Sequence, residues 1–122
     1  MKFAGCAALL ALAATGVAVA HHSYAMFDRD KALSLAGTVK EFRWVAPHSI
    51  IILEVKGRDG TIKNWTLEGG TPSLLRREGM TANSLKPGDQ IVVKVNPLHS
   101  GAPGGTWQAV TFSDGRPLLA PQ

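Results

Sequence analysis

The chain carries four histidines among its 122 residues, at His21, His22, His48 and His99. Imidazole is the side chain best suited to bind transition metals at neutral pH, and an adjacent pair plus two remote copies is a usable ligand set. The chemistry sharpens if His21 is the first residue of the finished protein. Its free α-amine and its imidazole then chelate one ion as a ring. One further imidazole completes a T-shaped three-nitrogen site, the histidine brace, which suits Cu(II). His22 lies beside it and can bind through Nδ1 or an intervening amide. His48 is the preferred remote partner and His99 the reserve, with Asp28 or Met26 as an axial ligand. The sequence thus predicts metal ligands at His21, His22, His48 and His99, with copper the expected ion.

What would expose His21 is the stretch before it. Met1-Lys2 is a short positive start, Phe3 to Val19 is almost entirely Ala, Leu, Gly and Val, and Ala18-Val19-Ala20 has the form of a cleavage site. The pattern reads as a secretory signal peptide over residues 1–20, cleaved after Ala20 and sending the protein to the periplasm. The run is short and Ala-rich for a permanent anchor, so no membrane span is expected after cleavage. The single cysteine, Cys6, falls inside this peptide. The mature chain would therefore have no disulfide, no thiolate metal site and no cysteine nucleophile. A net charge of +4 drops by one when Lys2 is removed. Its scattered residues form no basic stripe, which argues against nucleic acid as partner.

The elements that must hold these groups follow from β-forming runs separated by turn residues. Residues 21–34 form a polar lead-in with Tyr24 and Phe27 as aromatic anchors. Leu35 to Val45 reads as a long bent strand. Phe42 and Trp44 fall on one face and Val39 and Val45 on the other, so a bulge near Gly37 is needed to reconcile them. Ala46-Pro47-His48 breaks the strand. Ser49 to Lys56 and Thr61 to Glu68 form a hairpin about Gly57-Arg58-Asp59-Gly60. Thr71 to Gly79 reads as a short helix, with Thr71 as cap, Pro72 in the first turn and Gly79 as a left-handed stop. Leu85 to Asp89 is a turn. Gln90 to Asn96 alternates with Ile91, Val93 and Val95 inward. Pro97 to Gly105 is a loop, and Thr106 to Phe112 is the last strand. The order β-β-β-α-β-β predicts an all-β protein with one short helix, a five-stranded OB-like Greek-key barrel over residues 35–118 with a tail at 119–122.

The set His-His-Ser-Tyr-Ala-Met-Phe-Asp at 21–28, Val39 to His48, Trp65-Thr-Leu-Glu68, the 71–79 helix and Leu85-Lys-Pro-Gly-Asp89 resembles the exported bacterial domain-of-unknown-function family six-one-five-two. The resemblance covers nearly all of the mature chain. It departs at Ala46, where the family is expected to carry Asn, and at Met80, where Trp is expected. The resemblance implies a periplasmic, single-domain protein and brings no settled activity.

The remaining chemistry is sparse. No G-x-S-x-G turn and no phosphate-binding glycine loop is present, and Glu41, Glu54 and Glu68 sit at solvent-facing strand positions. The chain reads as a binding module and not an enzyme. Trp44 and Trp65 read as packing, and Trp107 as pointing outward from the last strand. The rival to a metal site is therefore a protein- or envelope-interaction module, with a periplasmic protein partner at a barrel face around Trp44 and Trp107.

Overall fold

The computed structural model describes residues 25–119. Five strands and one helix follow in the order β1 (Leu33–Arg43), β2 (Ile50–Lys56), β3 (Ile62–Glu68), α1 (Pro72–Arg77), β4 (Gln90–Pro97) and β5 (Gly104–Phe112). The strands close into a barrel in the order β1-β2-β3-β5-β4. All pairs are antiparallel except β3 with β5, which is parallel. This is the OB-like Greek-key barrel expected from the element order.

Alternation builds the interior. Ile51 and Leu53 of β2, Leu67 of β3, and Ile91, Val93 and Val95 of β4 are all at 0 % exposure, and Val39, Leu85 and Val110 join them in one cluster. Their charged neighbours Glu54 and Lys94 face solvent. Burying each of these aliphatic side chains stabilises the barrel by about 1.5–3 kcal/mol.

β1 must serve two partners, and it changes partner along its length. Leu33 to Thr38 pairs with β4, and Thr38 to Arg43 pairs with β2. The strand begins inside the segment expected to be lead-in and stops before Trp44. Its bulge lies between Val39 and Glu41 and not near Gly37. The extra residue, Lys40, lets Val39 and Phe42 both reach the interior, opposite Leu53 and Ile51. Gly37 answers a different demand. A Cβ there would collide with the Glu54 carbonyl oxygen and with the Leu53 side chain, so it is a close-approach glycine where the strand crosses the barrel.

The turns obey their local chemistry. Gly60 sits at φ +81° in the β2–β3 hairpin, which Gly57 N–H closes on the Thr61 carbonyl at 2.8 Å. Gly88 sits at φ +94° and donates its N–H to the Val39 carbonyl, while Val39 N–H returns to the Asp89 carbonyl, both at 2.8 Å. The Leu85–Asp89 turn is therefore laced to the β1 bulge. Thr71 occupies the N-cap in extended conformation, but its hydroxyl makes no cap hydrogen bond, contrary to the expectation. The C-terminus of α1 is a Schellman closure: Met80 N–H donates to the Leu75 carbonyl and Gly79 N–H to the Arg76 carbonyl, at 3.0 and 3.1 Å. Gly79 at φ +98° permits it, and Leu75 and Met80 are both buried beside it.

Candidate functional site

The lead-in docks on the barrel. Phe27 is 6 % exposed and forms an isolated antiparallel bridge with Leu98. Asp28 N–H donates to the Pro97 carbonyl at 2.8 Å, and His99 N–H donates to the Met26 carbonyl at 2.9 Å. Asn96 Nδ2 holds the Lys31 carbonyl at 2.7 Å. The segment thus lies across the β4–β5 connection, with Phe27 as its anchor.

Beside that anchor lies a cleft of about 210 Å³ lined by Phe27, His48, Glu68, Gly69, Gly70, Thr106, Trp107 and Gln108. His48 reaches it because the ladder runs past the end of β2. Ser49 N–H donates to the Gly70 carbonyl at 3.0 Å and Gly69 N–H to the Ser49 carbonyl at 2.8 Å. Ser49 is buried at 0 %, and its hydroxyl donates to the Gly70 carbonyl at 2.8 Å. With Ser49 turned inward, period-two alternation puts His48 on the opposite face, which forms the cleft wall.

Trp107 differs from its sequence reading. A second bulge in the β4–β5 ladder leaves Val95 opposite Trp107 and Lys94 opposite Ala109, so Gln108 is the extra residue. The bulge reverses the phase upstream of it. Trp107 therefore shares the inward face of Val95 and packs against the core instead of pointing outward. Its indole covers Gly69, where a Cβ would run into Nε1, Cε2 and Cζ2. Among the described residues, Trp107 Nε1 is a buried nitrogen without a hydrogen-bond acceptor. Trp44 stands apart from this cleft. It makes an edge contact with Phe42 at 5.9 Å and 71°, and the Arg76 guanidinium lies 5.9 Å from its ring centroid. Trp65 packs on the core, as its sequence position implied.

His99 is exposed on the loop, and its Nδ1 lies 3.8 Å from Asp28 Oδ2, an ion pair when the imidazole is protonated. Lys31 Nζ lies 3.4 Å from the same oxygen, and Asp30 N–H donates to Asp28 Oδ1 at 3.1 Å. Asp28 is thus occupied with holding the lead-in turn, and a lysine ammonium beside it disfavours a cation there. Met26 is exposed and contributes its backbone carbonyl. His21, His22 and Tyr24 lie outside the described residues, as do residues 1–20 and 120–122. Among the described residues no three His, Cys, Asp or Glu side chains gather at one point that could hold a metal ion.

Glu68 is the residue that sequence reasoning passed over. Its alternation marks it as solvent-facing, yet it lines the cleft with His48 and is only partly exposed. The available signal was Phe27, an apolar side chain in a polar lead-in that had to cover some part of the barrel's outer face.

Comparison with known proteins gives one family. The model of the family of unknown function DUF6152 matches residues 8–108, and the chain belongs to that family. No curated protein and no solved structure matches it.

Proposed function

We propose that this member of the DUF6152 family is an exported periplasmic metal-binding module that takes copper. In this reading cleavage after Ala20 frees the His21 amine, and the amine and imidazole of His21 chelate Cu(II) together with the imidazole of His48. The observation that carries the reading is the burial of Phe27 in the cleft that His48 lines. The anchor brings the lead-in to that imidazole, and extended chain can span about 17 Å from Met26 back to His21, at roughly 3.4 Å per residue. His22 supplies a further nitrogen beside the chelate.

His48 is favoured over His99 on chemical grounds. His99 faces a carboxylate already shared with Lys31, whereas His48 faces a cleft that carries no lysine or arginine. The test is Cu(II) titration of protein beginning at His21, with H48A and H99A compared. H48A is expected to weaken binding at least tenfold, about 1.4 kcal/mol, and H99A to leave it within threefold. Equal affinity in all three proteins would overturn the reading.

The second reading, a protein- or envelope-interaction module without metal, is favoured by the unpartnered Trp107 Nε1. A buried donor without an acceptor costs about 1–3 kcal/mol, which a partner oxygen entering the cleft would recover. Metal-independent capture of a periplasmic partner that is lost in W107F would support it.

A further inference from the structure

We infer that the open edge of β3 at Ile62 to Asn64 is a docking site for an extended peptide segment of another protein, one that carries an acidic residue between apolar ones. The inference is independent of the copper reading and uses a different part of the barrel.

The edge follows from register. β3 pairs with β2 over its whole length, from Ile62 opposite Lys56 to Glu68 opposite Ile50. With β5 it pairs only from Thr66 to Glu68, so the β2–β3 hairpin extends beyond the β3–β5 seam. Gly57 N–H donates to the Thr61 carbonyl and Gly69 N–H to the Ser49 carbonyl, both at 2.8 Å. Those bonds set the phase. Odd-numbered residues of β3 bond across to β2, and even-numbered residues turn their N–H and C=O to the other side. Thr66 obeys it, donating its N–H to the Pro103 carbonyl at 3.2 Å. Among the described residues nothing receives the corresponding groups of Ile62 and Asn64. Both residues are exposed, Ile62 at 57 %. Alternating donors and acceptors beside an exposed isoleucine are a template for one more strand.

Charge selects the occupant. In an antiparallel pairing, the added chain exchanges hydrogen bonds with Ile62 and Asn64. Its residue between them faces Lys63 in a non-hydrogen-bonded pair, where side chains come closest. A second copy of this protein, paired through the same edge, would set Lys63 against Lys63, and like charges directly opposite are destabilising. A glutamate or aspartate there meets the Lys63 ammonium instead. The surroundings favour the same sign, since Lys56 is the cross-strand partner of Ile62 and Arg58 lies in the adjoining turn. Of the two nearby carboxylates, Asp59 accepts the Thr61 N–H at 2.9 Å within the turn. Glu54 is cross-strand from Asn64, on the opposite face from Lys63. An apolar side chain opposite Ile62 covers its exposed surface. On the Lys63 side, a cleft of about 220 Å³ lined in part by Leu35, Val55, Lys63 and Trp65 offers apolar surface to the stem of the acidic side chain.

The experiment titrates isotope-labelled protein with the capped peptide threonine-valine-glutamate-valine-threonine and with its lysine-centred counterpart, followed by NMR. The expected result is saturable shifts and slowed amide exchange at Ile62 and Asn64 with the glutamate peptide. The lysine peptide is expected to bind with a Kd at least about tenfold higher. K63E changes an exposed side chain and is expected to reverse that order. Asn64→Pro removes an N–H that the ladder does not use and is expected to abolish binding of both peptides, with circular dichroism checking the fold. Equal Kd for the two peptides, an unchanged order in K63E, or no saturable shift at those amides at millimolar peptide overturns the inference. A dimer that protects the same amides without peptide also overturns it, since the edge then belongs to a second copy.

Discussion

Phe27→Ala tests whether docking of the lead-in is what assembles the site. Phe27 is 6 % exposed and stands outside the main apolar cluster of the barrel. Its loss should release the lead-in and leave the barrel folded. Burying a phenylalanine stabilises by about 1.5–3 kcal/mol. The hydrogen bonds Asp28 N–H to Pro97 O, His99 N–H to Met26 O and Asn96 Nδ2 to Lys31 O remain, with the exposed His99–Asp28 ion pair beside them. Each contributes about 1 kcal/mol net. Ordering a backbone costs about 1–2 kcal/mol per residue, so bonds of this size do not by themselves offset the ordering of a segment running from Ala25 to Lys31. The cost of ordering would then fall on the proposed metal binding, and about 1.5–3 kcal/mol corresponds to a Kd raised about 12- to 150-fold. Competition titration with Cu(II) reads the affinity, and amide hydrogen exchange at Asp28 and His99 reads the docking. The reasoning fails if those amides lose protection in F27A while Kd changes less than threefold.

Further expectations concern the scaffold and the cleft. Gly105→Ala places a Cβ against the Asn96 carbonyl oxygen and Val95 Cγ1. It should cost about 1–3 kcal/mol or more, seen in thermal unfolding as about 4–8 °C per kcal/mol. Gly79→Ala has open space but a backbone at φ +98°, and should cost about 1 kcal/mol with no change at the cleft. The Thr61 backbone N–H lowers the pKa of Asp59, and the Arg116 backbone N–H and then its side chain lower that of Asp114. Depressed native values stabilise the fold above the unfolded carboxylate pKa, near about 3.9, and that stabilisation is lost as pH falls through the native values. Carbon-detected NMR titration should show both groups titrating below the ordinary aspartate range. In a W44F/W65F chain, one equivalent of Cu(II) should quench the remaining Trp107 emission, and quenching only at large excess would place the ion elsewhere.

The barrel was legible in the sequence because its signals are local. Ile91-Val-Val-Lys-Val95 alternates cleanly, Gly-Arg-Asp-Gly can only turn, and Pro72 and Gly79 bracket a helix. The bulges were less legible, because a bulge is a relation between two strands. Lys40 and Gln108 look like ordinary strand residues until Leu53 and Val95 are set opposite their neighbours. That single-residue shift turned Trp107 inward, and with it the expected aromatic face. Glu68 was misread for a related reason. Alternation says which face a side chain occupies, but not that a lead-in some forty residues upstream covers that face. Of the site, His48 could be picked from the sequence as a residue type, while the presence of Glu68 on the same cleft wall required the fold.

The proposed copper site depends on cleavage of the Ala20–His21 bond, which would free the His21 amine to act as a ligand. The direct measurement is the Cu(II) affinity of protein beginning at His21 against the same protein with one added N-terminal alanine. Binding weakened at least tenfold by the extra residue, about 1.4 kcal/mol, is the result the account predicts. Equal, weak affinity in both proteins would contradict it.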